Sequence, residues 1–239
     1  MLHNIPINTQ LTMDATDSYG QAAIGHVFMI FCPTVQEKGS GFALEDGRIV
    51  TNYHVIRRSE GHVQVFDAAG NSHKVARIEA KVEKDLAVLY LKEPVKGGFL
   101  LAEDDAVPDL GAQVITWGFP LGYSGPSPIL SVGHLAGLRM HANGTAQVKH
   151  HIVNGAFNGG NSGGALIDPA TNSVIGVVVA KHGRMTPFQE LALESLRNNQ
   201  SGLVHTFRAQ DGEPPRDCRR LQLLSRRSHY EQDHEQIFT

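Results

Sequence analysis

Cysteine is scarce. The 239 residues contain only Cys32 and Cys218, one in an apolar run and one in a charged tail, which excludes a disulfide framework. Long apolar runs are lacking too, and no stretch approaches the roughly 18 consecutive apolar residues of a membrane-spanning helix. Met1-Leu2-His3-Asn4 opens a polar stretch with neither a basic n-region nor an apolar h-region, so no secretory signal is visible and the sequence reads as cytoplasmic. Basic charge is not in excess. Lys+Arg 21 against Asp+Glu 24 gives a formal net charge of −3, which argues against general nucleic-acid binding. No G-x-x-x-x-G-K-[ST] loop occurs, and Gly39-Ser40-Gly41 reads as a strand glycine pair and not as a nucleotide cradle.

What the chain has in quantity is glycine, 25 residues, alongside 41% hydrophobic content, a balance that suits a β-rich globule and not a disordered chain or a coiled coil. From Ala23 onward, short apolar runs alternate with turn residues, the spacing of an all-β barrel. Ile24 to Cys32, Gly39 to Leu44, Arg48 to Thr51, His62 to Asp67, Lys74 to Val82 and Asp85 to Leu91 make a first series of about six strands. Glu45-Asp46-Gly47 and Ala68-Ala69-Gly70-Asn71 supply turn signals within it. Phe99 to Pro108 is a mixed acidic crossing. A second series follows, from Ala112 to Trp117, Ile129 to Met140, Thr145 to Val153, Gly163 to Ile167 and Ser173 to Ala180.

One stretch carries chemistry. Asn158-Gly159-Gly160-Asn161-Ser162-Gly163-Gly164 is a glycine-rich turn that presents a serine and then enters an apolar strand. Serine is a poor nucleophile at its free pKa and needs a base within reach and donors for the oxyanion it generates. Glycines on either side allow positive φ and let the Gly160 and Ser162 amides converge, with Asn161 shaping the turn. Alone, such a turn is as consistent with an ordinary loop serine. Upstream, Thr51-Asn52-Tyr53-His54 follows one strand and Lys84-Asp85 opens another. The order His54, Asp85, Ser162 is one of those known for a Ser-His-Asp triad, although His54 alone could be a barrel histidine and Asp85 a strand-start cap.

In that order, GSGFALEDGRIVTNYHVI, EKDLAVLYL, VITWGFPLG, NGGNSGGALID and SVIGVVV resemble the signature blocks of the chymotrypsin-fold (trypsin-like) serine peptidases, most closely the bacterial Deg/HtrA-type branch. The resemblance implies an all-β fold of two antiparallel six-stranded-type β-barrels, with the triad His54, Asp85 and Ser162 at their interface and an oxyanion hole at Gly160, Asn161 and Ser162. Chain divisions follow: an N-terminal extension over 1–20, taken as an extended lead-in, a first barrel over 21–100, a second over 101–183, and a C-terminal helix and charged helical tail over 184–239. Secreted trypsin-like enzymes carry a cysteine beside the active-site histidine; here that position is Val55. Motif alignment with the family also implies Ala156 at the base of the S1 pocket, Phe157 able to fill it, and Val179-Ala180-Lys181 as the wall strand. With no acidic residue at Ala156 and no histidine at Val178, a small or medium apolar P1 residue is expected.

Thr186-Pro187-Phe188-Gln189 has a capping-box pattern with proline at the first helical position, predicting a helix to about Asn198. Arg216 to Arg227, with Leu221, Leu223 and Leu224, suits a short amphipathic helix that is either a solvated tail or the docking element of an activating partner. The 37 residues after Gly202 are too few for the peptide-binding PDZ module that usually follows the protease domain in the Deg/HtrA branch. His150 and His151 are adjacent in a strand and point to opposite faces, and His229 and His234 match no zinc spacing; neither a metal nor another cofactor is expected. The expected activity is a serine endopeptidase acting on peptides or proteins, set against a catalytically silent protease fold serving as a binding or scaffold subunit.

Overall fold

Asp46-Gly47 turns the chain as its composition predicts. Gly47 takes φ +80°, and Leu44 and Arg48 close the hairpin through Leu44 N–H to Arg48 O at 2.8 Å and Gly47 N–H to Leu44 O at 2.8 Å. The strands on either side belong to the first of two barrel-like sheets seen in a computed structural model, which describes residues 5–59, 61–103, 106–123, 125–143, 146–179 and 236–238.

The first sheet holds β1 (Val27–Cys32), β2 (Glu37–Ala43), β3 (Ile49–Asn52), β4 (Gln64–Phe66), β5 (Ser72–His73), β6 (Val75–Lys81) and β7 (Leu86–Leu91), in the order β5-β4-β1-β2-β3-β7-β6, all antiparallel. Alternation sets its core: Ala87, Leu89 and Leu91 point inward from β7 to meet Phe28, Ile30, Ile49 and Val65. The second sheet is a closed barrel of β8 (Gln113–Gly118), β9 (Ile129–Asn143), β10 (Ala146–Gly155), β11 (Ala165–Asp168), β12 (Ser173–Val179) and β13 (Gln236–Phe238). Val114, Leu135, Val153, Phe157, Leu166 and Val178 fill its interior.

A third apolar cluster joins the two. It brings Val27, Phe42 and Leu44 of the first sheet and its hairpin against Trp117, Ala165, Ile167 and Val177 of the second, with Phe99 and Phe119 between them. The expected crossing after Phe99 is stitched to both sheets: Phe99 N–H donates to Ala43 O at 2.8 Å, and Val174 N–H donates to Leu100 O at 2.9 Å. The two sheets are thus clamped where β2 faces β8.

Two expectations are corrected. The lead-in before residue 20 is not extended: it forms α1 (Ile7–Asp14) and α2 (Ser18–Gly25). The Asp17 side chain caps α2 by accepting from Gly20 N–H at 2.8 Å, which also moves the start of the first strand from Ile24 to Val27. Thr9, Gly20, Ala23 and Ile24 are buried against the barrels, so tertiary packing compensates for the weak helical period that hid these helices. At the other end, Gln236–Phe238 is not tail but a barrel strand, with Phe238 opposite both His151 and Val178. Three residues are too few for any period to show. The helix expected from Thr186 to Asn198 and the arginine-rich stretch from Arg216 to Arg227 lie outside the described residues, as do His229 and His234. None of the described helices is long and apolar enough to cross a membrane.

Candidate active site

Strand register places the histidine. β3 pairs with β7 so that Asn52 lies opposite Leu86, and the chain then leaves β3 in a one-turn helix, α3 (Tyr53–Ile56). Val55 and Ile56 are buried and anchor that turn, and the Cys32 thiol donates to Val55 O at 3.1 Å. Burial, with Glu37 nearby, raises the Cys32 pKa, so this thiol is a packing group and not a nucleophile. His54 is left on the outer side of α3, adjacent to the residue that precedes Leu86.

That residue is Asp85. It follows a one-turn 3-10 helix, Val82–Lys84, and takes a left-handed conformation with φ +54°. Its carboxylate grips His54 twice. Oδ2 lies 2.7 Å from His54 Nδ1, and Oδ1 accepts the His54 backbone N–H at 2.8 Å. Its carbonyl accepts from Tyr53 N–H and from Asn52 Nδ2, both at 3.0 Å. Both side chains stay about one-third exposed, at 33% for His54 and 29% for Asp85, so the imidazole edge is reachable from solvent.

Ser162 sits in the turn between β10 and β11, and that turn is pinned peptide by peptide. Gly159 O accepts from Leu121 N–H at 2.6 Å, Asn161 N–H donates to Asn158 O at 3.0 Å, Gly164 N–H to Asn161 O at 2.9 Å, and Gly163 N–H to Val178 O at 2.8 Å. All peptide bonds here are trans, so each amide points away from the preceding carbonyl. The Gly160 and Ser162 amides, whose preceding carbonyls are held by Leu121 and Gly164, therefore each point away from that partner. Positive φ is obligatory: Gly160 has φ +96° and Gly163 φ +86°. A Cβ on Gly163 would lie 2.2 Å from Ser40 O and 2.3 Å from Thr51 Oγ1.

The two halves meet through β2. Ser40 N–H donates to Ser162 O at 2.8 Å, and a Cβ on the preceding Gly39 would touch both the Val55 side chain and Ser162 O. The backbone of Ser162 thus lies across Gly39 from the residue next to His54. Ser162 is buried at 5% exposure, and Asn161 is fully buried.

The other expected site residues divide. Ala156 is exposed at the mouth of the turn, whereas Phe157 is turned into the core of the second barrel, where its ring covers Gly133 and Gly155. Val179 is a buried residue at the end of β12; Ala180 and Lys181 lie outside the described residues. Sequence reasoning missed Asn52, Leu121 and Ser40 as supports of the site. Ser40 was visible only as the middle of a glycine pair. Among the described residues no group of three or more His, Cys, Asp or Glu is placed to hold a metal ion.

A pair of β-barrels with a His–Asp couple on one and a glycine-braced serine on the other defines the chymotrypsin-type peptidase fold. The trypsin-like peptidase domain family matches residues 39–177, and the chain belongs to that family. A probable periplasmic serine endoprotease, DegP-like, from Buchnera aphidicola subsp. Baizongia pistaciae is 29% identical over 174 residues, covering 69% of this chain and 36% of that protein. Protease Do-like 1, chloroplastic, of Arabidopsis thaliana is 34% identical over 153 residues, covering 61% of this chain and 33% of its own length. The chain thus spans 36% and 33% of these two relatives. The Rv3671c protease of M. tuberculosis in its active form shares the fold, with a TM-score of 0.59 at 21% identity over 76% of this chain and 82% of that one. The Deg/HtrA-type resemblance of the sequence blocks is matched by both sequence relatives. Their names place them in the periplasm and the chloroplast, which lends nothing to the cytoplasmic expectation.

Proposed function

We propose that this chain is a serine endopeptidase that cleaves peptide bonds through an acyl-enzyme on Ser162. The observation that carries the reading is the two-point hold of Asp85 on His54. A carboxylate on Nδ1 favours the tautomer that leaves Nε2 unprotonated to receive a proton, and the second bond to the backbone prevents the ring and its partner from separating.

In the proposed cycle His54 Nε2 takes the Ser162 hydroxyl proton as Oγ bonds to the scissile carbonyl carbon. The Gly160 and Ser162 amides receive the resulting oxyanion, aligned before the reaction because the carbonyls behind them are already engaged. His54 then gives the proton to the leaving amine, and the C–N bond breaks. Water, deprotonated by His54, repeats the attack on the ester and releases Ser162 and the carboxylate product. Asp85 stays ionised and stabilises the imidazolium in both steps.

For specificity, Ala156 brings no charge to the S1 region that the family motif implies, and this supports a small or medium apolar P1 residue. A fluorogenic peptide panel tests this, and preference for Arg or Glu at P1 would overturn it. The activity itself is tested by labelling wild type and Ser162→Ala with a fluorophosphonate probe alongside casein digestion. Labelling lost in the variant, with digestion by the wild type, is expected. No labelling of the wild type would instead indicate a silent protease fold.

A further inference from the structure

Ser40 belongs to the first sheet, yet most of its polar atoms serve the second. Its side chain is fully buried. Its hydroxyl donates to Gly160 O at 2.7 Å and accepts from Phe119 N–H at 3.0 Å, while its own N–H donates to Ser162 O at 2.8 Å. Its carbonyl accepts from Thr51 Oγ1 at 2.7 Å, tying it back to β3. Because the Phe119 amide approaches the oxygen as a donor, the hydroxyl proton is committed to Gly160. The space is reserved for this arrangement: a Cβ on Gly118 would fall 2.8 Å from Ser40 Oγ and 2.7 Å from Asn161 Oδ1.

We propose that Ser40 is a positioning residue for the oxyanion turn, acting across the barrel interface through the Gly160 carbonyl and the Ser162 carbonyl. The inference rests on the peptidase reading above. Gly159-Gly160 is free to adopt several backbone orientations, since neither residue has a Cβ. What selects one is the set of bonds on the carbonyls: Leu121 holds Gly159 O, and Ser40 holds Gly160 O and Ser162 O. Rotating the Gly160–Asn161 peptide would break the Ser40 bond and leave a buried carbonyl unpaired, which is unfavourable. Ser40 therefore fixes the Gly160–Asn161 and Ser162–Gly163 peptides, the neighbours in sequence of the peptides that carry the Gly160 and Ser162 amides, and so limits the directions those amides can take. Its side chain is fully buried and bonds only backbone groups, so it acts on the reacting carbonyl through the turn and not by contact with bound peptide.

The test is Ser40→Ala in the whole chain, read on a peptide substrate with active sites counted by fluorophosphonate titration. Displaced oxyanion donors typically lower turnover by orders of magnitude, so kcat per titrated site is expected to fall about 10- to 100-fold with KM within about twofold of wild type. A merely structural role would lower the number of active sites and leave kcat per site unchanged, and that result would overturn the proposal, as would parallel changes in kcat and KM. If Ser40→Ala does not fold, Ser40→Cys is read by the same criteria. The two levels of inference separate cleanly. Wild-type protein without Ser162-dependent labelling removes the peptidase reading and the role of Ser40 with it; labelled wild type with an unchanged Ser40 variant removes only the latter.

Discussion

Asp85 binds His54 at two points, ring Nδ1 at 2.7 Å and backbone N–H at 2.8 Å, from a left-handed conformation with φ +54°. That geometry separates two substitutions that look similar. Asp85→Asn suits the left-handed backbone, which asparagine tolerates, but its amide cannot accept from both donors at once. The fold is expected to survive and kcat to fall about 10³- to 10⁴-fold through the wrong imidazole tautomer. Equal kcat in the variant would show that Asp85 is only a cap.

Glycine is expected to be irreplaceable at Gly163 and dispensable at Gly61, although both have φ above +80°. A Cβ at Gly163 collides with Ser40 O and Thr51 Oγ1, whereas at Gly61 it meets nothing within 4 Å. Gly61→Ala should cost about 1–2 kcal/mol from backbone strain alone. Gly163→Ala should fall in the range above about 4 kcal/mol that buried clashes produce. Thermal melting of the two variants side by side would reveal the difference, and similar midpoints would contradict it.

The helix α1 fastens the two sheets together. The hydroxyl of Thr9, fully buried, donates to Ala68 O at 2.8 Å in the β4–β5 turn of the first, and Thr12 Oγ1 lies 3.1 Å from Ser127 Oγ, just before β9 of the second. Thr9→Val keeps the shape and leaves the Ala68 carbonyl unpaired, a loss of about 1–3 kcal/mol. Urea unfolding should show a lower midpoint at unchanged slope. An unchanged midpoint would mean that the helix merely rests on the surface.

His151 makes stability depend on pH. It is buried in β10 opposite Leu138 and Phe238, and its Nδ1 has no hydrogen-bond partner among the described residues. Burial, reinforced by Lys149, holds its pKa below the ordinary imidazole value. The unfolded chain therefore binds the proton more tightly than the folded one. The stability is fully present above the unfolded pKa of about 6.5 and is lost as pH falls through the lower folded value. His151→Leu should reduce the acid loss relative to wild type between about pH 7 and 5; identical pH profiles would exclude His151 as a source.

Much of the candidate site was legible in one dimension. Residue types with specific chemistry at His54, Asp85 and Ser162, and glycines where the backbone needs positive φ, leave their mark on the sequence because no other residue types satisfy the local demand. Eleven of the strands, all but β5 and β13, were visible as short apolar runs bounded by turns, with ends shifted by a few residues. Family resemblance then supplied the two-barrel arrangement, which no local period encodes.

Other features depend on partners distant in the chain. Nothing near Ser40 indicates that its hydroxyl meets Gly160, because that bond spans 120 positions and exists only once the sheets are clamped. The helices α1 and α2 have too weak a period to be seen and persist because Thr9, Ala23 and Ile24 are buried by the barrels. Gln236–Phe238 is a strand only because β10 and β12 present their edges to it. Composition and local pattern thus determined the candidate site residues and most strands, through constraints that act within a few residues. The tertiary structure decided which backbone groups brace them, since a hydrogen bond between remote segments forms only when burial has brought its donor and acceptor together.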